Sequence, residues 1–134
     1  MFILAILVAT ILWFLVAAVL FFNPFVDKIY RSEESHAAVR ALPQSIKTIG
    51  MILLAVFIQS ALWAYVYTLI SSALAGGKLC KGLTFGLILA LTKIIPRDID
   101  RILLTTYHRK RMTIEFIVGI ICSLVVGVVF GYML

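Results

Sequence analysis

Two long stretches without a single charged side chain, Met1 to Phe22 and Thr48 to Gly77, set the terms on which this chain can fold. At 1.5 Å per residue, a helix of about 20 residues crosses a hydrocarbon core of roughly 30 Å. In the first stretch Thr10 is the one polar side chain besides the Trp13 indole, and its hydroxyl can bond back to its own helix. No basic segment precedes the stretch, and it outruns the about 7–15 apolar residues of a signal peptide, so a retained span over residues 2–22 is expected. Asn23-Pro24 should end it, because proline disfavours helical geometry in the residue before it.

The whole chain follows the same pattern. Of its 134 residues, 63% are apolar and 13% charged, against about 45–50% and about 25% in soluble domains. A soluble fold of this size has nowhere to hide that excess, which must face lipid or other subunits. The length allows one domain, residues 1–134. The net charge of +6 points away from nucleic acid, because the basic residues sit in short connections beside apolar spans and so set membrane orientation.

A second span is expected over residues 48–74, ending at the turn Ala75-Gly76-Gly77. The third is the least apolar: only 11 residues, Gly82 to Thr92, separate Lys81 from Lys93. Both lysines can snorkel toward headgroups, which makes 79–95 a short span, and Pro96 should end it. Asp98 to His108 then reads as an amphipathic helix lying on the interface, with Ile99, Ile102, Leu103 and Tyr107 on one face. The fourth span is expected over residues 113–134. In the first connection, Ser32 would cap a short helix running to about Leu42. Four spans put ten of the twelve Lys and Arg residues on one side, which becomes the cytoplasmic side, with both termini opposite. The expected fold class is therefore all-α: an integral membrane bundle of four transmembrane helices with a short cytoplasmic interfacial helix, in the inner membrane of a bacterium.

The pattern most specific to this chain concerns packing. Gly82, Gly86 and Ala90 in the third span, and Gly119, Ser123, Gly127 and Gly131 in the fourth, repeat every four residues. Such stripes let helix backbones approach closely where lipid supplies no hydrophobic drive. Packing of the two spans on each other accounts for at least one stripe; an oligomer interface is the sharper alternative for the longer one. In the second span Gln59, with Ser60 and Trp63 nearby, should face other helices, as interhelical glue or, less commonly, as a polar path. Lys93, Arg97, Arg101, Arg109, Lys110 and Arg111 obey the positive-inside rule and would meet anionic lipid headgroups. Glu115, in the first turn of the fourth span, should pair with a nearby arginine.

Other chemistry is thinly represented. Cys80 and Cys122 lie at different depths, too far apart for a disulfide, and His36 and His108 have no ligand-spaced partner. The sequence holds no H-x-x-x-H, G-x-S-x-G or Walker motif and no acid in the first span. No catalytic, cofactor-binding or metal-binding residues are expected, and no enzyme.

The exit of the first span, Phe21-Phe22-Asn23-Pro24-Phe25-Val26-Asp27-Lys28-Ile29-Tyr30, resembles the aromatic–Ser-Pro turn that follows the first span in a family of small bacterial membrane proteins, a domain of unknown function. The four-span layout, the weakly apolar third segment and the basic connection before a glycine-rich last span are also similar. The resemblance implies fold and topology and lends no activity. The functional expectation is a non-catalytic membrane protein that acts as a homo-oligomer or as a subunit of a larger membrane complex. The alternatives are a small oligomeric channel or transporter and a lipid-binding protein.

Overall fold

A computed structural model describes residues 1–21, 24, 28, 46–106 and 109–134. The connection expected to hold the Ser32-capped helix, most of the turn after Phe21, and both histidines lie outside the described residues, as does Tyr107. The described residues form helices and turns, with no strand among them. Helix α1 covers Phe2–Phe21 and α2 covers Ile46–Ile70, closing in a 3-10 turn at Ser71–Ala73. Helix α3 covers Lys78–Leu89 and runs through a π turn, Ala90–Ile94, into α4, Ile95–Leu104. Helix α5 covers Arg109–Met133. Four helical stretches, of 20, 28, 27 and 25 residues, are long and apolar enough to cross a membrane.

Local chemistry accounts for these elements. The Thr10 hydroxyl donates to the Ile6 carbonyl at 2.7 Å, satisfying itself within α1 as an apolar helix requires. Along α1 the residues Ile3, Leu7, Ile11, Leu15 and Val19 form an exposed stripe, whereas Ala5, Ile6, Ala9 and Thr10 are buried. The turn between α2 and α3 uses Gly76 at φ 96°, a left-handed conformation that glycine adopts without strain. Its Cα also stands against Cys80, where an added Cβ would lie 2.8 Å from the Cys80 Cβ.

Pro96 does not end the helix, contrary to the sequence expectation. The chain widens into the π turn, in which the Ile95 N–H donates to the Ala90 carbonyl five residues back. A proline inside an α-helix lacks a donor and crowds the carbonyl four residues earlier; a wider turn just before it relieves both. The turn has a second consequence. In an α-helix each step of four residues overshoots a full turn by about 40°, so a stripe at that spacing drifts off its face. Widening the turn gives some of that rotation back, and Gly82, Gly86, Ala90, Ile94 and Asp98 are all buried.

The stripe lies on α5. Ideal Cβ positions at Gly82 and Gly86 fall 2.7 Å from the Gly127 carbonyl oxygen and 2.8 Å from the Leu124 Cα. Gly131 meets the backbone of Lys78 and Gly82, and Gly119 meets the side chain of Ile94. Residues rising in one helix thus meet residues falling in the other, so α3 and α5 are antiparallel and in backbone contact. Both small-residue stripes serve packing within one chain.

On this seam sits an aromatic layer. Tyr67, Phe85 and Phe130 are each no more than 2% exposed. The Tyr67 and Phe85 rings meet edge to face with centroids 5.1 Å apart, and Phe130 lies 6.1 and 6.2 Å from them. Edge-to-face pairs are a preferred aromatic geometry, and this cluster closes the bundle through α2, α3 and α5.

Candidate functional site: a cationic cavity among four helices

Toward the α4–α5 connection the bundle encloses a cavity of about 300 Å³. Three basic residues line it: Lys93 from the π turn, then Arg97 and Arg101 from α4. They recur every four residues, so they share one face, and that face looks inward. The opposite face of α4 exposes Ile95, Ile99, Ile102 and Leu103. The helix expected to lie flat on the interface is instead the continuation of α3, with its apolar side outward and its charges toward the protein.

Lys93 is the centre of the site. Its Nζ donates to the Gln59 Oε1 at 3.0 Å and stands 4.0 Å above the Trp63 ring and 4.8 Å from the Trp13 ring. The two indoles stack with centroids 4.7 Å apart at 18°. Trp63 follows Gln59 by four residues on α2, so amide and ring face Lys93 together, while α1 supplies Trp13 across the groove. An ammonium over indole faces is stabilised by about 0.5–2 kcal/mol, more where water is excluded. No carboxylate of the described residues lies within ion-pairing distance of it. Gln59 thus faces its neighbours, as expected, and its partner is a cation. Lys93 turns inward, whereas the sequence reading had it snorkelling to the lipid headgroups.

The two arginines differ. Arg97 is half-buried and pairs with Asp98, its own neighbour, through Nε at 3.1 Å. Its Nη2 is buried without a hydrogen-bond partner, as is the Asp98 Oδ2 on the far side of the helix. Arg101 pairs across the cavity with Glu115 of α5, the arginine partner that the sequence implied for that carboxylate. Arg109 and Lys110 are exposed at the start of α5, and Arg111 is half-buried. Ser60 is fully buried, and its hydroxyl has no partner among the described residues.

The cavity floor is formed by α5, through Gly119, Cys122 and Ser123. Among the described residues no three His, Cys, Asp or Glu side chains converge as metal ligands would. Cys122 is 3% exposed and Cys80 lies open on the surface. A water-soluble maleimide should therefore modify Cys80 at least about tenfold faster than Cys122 in the folded protein, since thiol reactivity follows access. Mass spectrometry of timed samples measures the two rates, and equal rates would contradict a closed cavity floor.

The sequence reading did not see this site as a unit. Its members were assigned separately, Gln59 and Trp63 to helix contacts and the three cations to lipid, while Trp13 went unremarked as a site residue. The signal was present in the spacing 93, 97, 101, and it was cut in two by the helix end expected at Pro96. Searches against protein-family models, curated proteins and solved structures find no match to this chain.

Proposed function

We propose that this chain is a non-catalytic integral membrane protein whose four-helix bundle binds a negatively charged ligand between Lys93, Arg97 and the stacked indoles of Trp13 and Trp63. One observation carries the reading: Lys93 is held inside an apolar helical bundle by an amide and two rings, with no carboxylate to neutralise it. Charged groups within membrane-spanning helices are costly, and they mark ligand or ion sites when they face the bundle interior. A structural lysine at this depth would be paired. In this reading the connections rich in Lys and Arg face the cytoplasm, the cavity lies toward that leaflet of a bacterial inner membrane, and both termini lie opposite. Catalysis finds little support, because no histidine and only one carboxylate line the cavity among the described residues.

Assembly is the second reading. The small-residue stripes that suggested it are used inside the chain, but α2 leaves Met51, Leu54, Ile58, Leu62, Tyr65 and Leu69 exposed at three- and four-residue spacing. That stripe is a face that a second copy would cover. A channel has less support, since the Tyr67, Phe85 and Phe130 layer blocks the bundle beyond the cavity.

Native mass spectrometry of the protein extracted gently from its own membrane tests both readings at once. The expected spectrum carries an added mass at close to one per chain, which fragmentation identifies as an anion. A bare chain under the same conditions argues against the binding reading, and a strict monomer argues against assembly through α2.

A further inference from the structure

We propose that the cavity is a phosphoryl site, and that its ligand is a phosphate ester whose phosphoryl group bridges Lys93 and Arg97 while its organic part lies against α1. This deepens the reading above and rests on it. Three features select phosphate among anions.

The first is charge. The described lining residues include Lys93, Arg97 and Arg101 against the single carboxylate Glu115, a balance of three positive and one negative, or +2. Asp98, paired with Arg97 from outside the cavity, brings this to +1. A phosphate monoester carries about −1.5 to −2 near neutral pH, and a diester one negative charge; either matches the cavity without leaving a large residual charge.

The second is the number and placement of donors. Gln59 engages one of the three N–H donors of Lys93, and the Arg97 Nη2 is buried with its donors unused. The two side chains stand four residues apart on the inward face, so two rungs of the ladder have donors to give to one ligand. A carboxylate is satisfied by a single arginine fork, and that arrangement already exists one rung further on, where Glu115 pairs with Arg101. A phosphoryl group has the oxygens to accept from both rungs, and arginine forks suit its geometry.

The third is the wall. Trp13, Ala17 and Phe21 present an apolar surface from α1 to the same cavity, which a bare ion would leave uncovered and an ester would cover. The volume of about 300 Å³ stands at the lower end of the roughly 300–1,000 Å³ of small-molecule sites, enough for a headgroup.

Trp13 and Trp63 are the only two tryptophans in the sequence, so intrinsic fluorescence reports on the site alone. Purified full-length protein in nanodiscs of neutral lipid would be titrated with dihexanoyl phosphatidic acid, inorganic phosphate, octanoate, dihexanoylglycerol and chloride. The expected result is a saturable change with the phosphate-bearing probes at concentrations at least about tenfold below those of octanoate or chloride, and none with dihexanoylglycerol. The same probes should slow maleimide modification of Cys122 in the wild-type chain carrying only Cys80→Ser, a readout that does not depend on altering the cavity. Lys93→Gln should weaken binding at least about tenfold while Lys93→Arg retains it. Phosphatidic acid binding well ahead of inorganic phosphate identifies a lipid headgroup as the source, and equal binding identifies free phosphate; both uphold the phosphoryl site. Saturable, Lys93-dependent binding of octanoate with no response to phosphate overturns the phosphoryl assignment and leaves the anion site standing. No response to any anion overturns both.

Discussion

Replacing Gly127 with leucine should leave almost no folded protein. A Cβ at Gly127 would contact the Gly82 carbonyl oxygen and lie 2.7 Å from the Gly86 nitrogen and 2.9 Å from its Cα. These are backbone atoms inside a regular helix, and they cannot turn aside as a side chain can. Accommodating Leu means driving α3 away from α5 along the seam where the two lie in backbone contact. That would also loosen Phe85 and Phe130, which are fully buried beside it. Overpacking alone costs about 1–3 kcal/mol; losing the seam adds to it, and the sum approaches the whole stability of a small domain, about 5–15 kcal/mol.

The other glycines give the scale. Gly119→Ala meets only the Cδ1 of Ile94 at 2.9 Å, a flexible methyl that can rotate away, so a loss of about 1 kcal/mol or less is expected. Gly50 has nothing within 4 Å of its would-be Cβ, and Gly50→Ala within α2 should gain up to about 1 kcal/mol from helix propensity. Fluorescence-detected size exclusion after graded heating ranks the three variants. Leucine at 127 behaving like wild type would mean that the seam does not hold the bundle together.

The seam and the site were legible in the sequence to different degrees, for a physical reason. Long apolar stretches and four-residue repeats of small side chains are properties of one helix, so sequence shows them without knowledge of neighbours. The apolar helices and the Gly82–Gly86–Ala90 stripe were readable on that basis. Which stripe meets which is a property of two helices, and the two readings, packing within a chain or between chains, parted only when the Gly127 carbonyl was seen against Gly82. The site needed more. A lysine at the end of a short apolar segment has two low-energy solutions, a snorkelled head in the headgroups or an inward head with a partner. The choice depends on whether an amide and aromatic faces stand opposite, in helices more than thirty residues away in sequence. Pro96 added a second ambiguity. Proline ends most helices, but a π turn lets this one continue, and only then do Lys93, Arg97 and Arg101 share a face.

If Lys93 is kept for a ligand, removing its charge should make the empty protein more stable, and this sign separates a binding residue from a structural one. In the double variant Gln59→Leu with Lys93→Met, a half-buried ammonium and its amide partner give way to apolar side chains of similar reach. Replacing both members of a buried polar pair by apolar groups is often neutral or stabilising, by about 1–4 kcal/mol for charged sets. Two contributions oppose it: the cation–π contact, about 0.5–2 kcal/mol, and the Lys93–Gln59 hydrogen bond, about 1.5–3 kcal/mol for a charged donor before desolvation is counted. A methionine thioether on the Trp13–Trp63 stack recovers part of the first through its own aromatic contact. The net expectation is a gain of about 1 kcal/mol or more, a shift of about 2–8 °C in the unfolding midpoint for a chain this size, together with loss of anion binding. Lys93→Met alone should gain less, because it leaves the Gln59 amide buried without its donor. Arg101→Met should move the other way, since it strands the half-buried Glu115 carboxylate, at a cost of about 1–3 kcal/mol once partial exposure is allowed for. Thermal unfolding in the same nanodiscs, without added anions, reads all three. A double variant less stable than wild type by as much as Arg101→Met would assign Lys93 to the architecture of the bundle, and the cavity would lose its claim to a ligand.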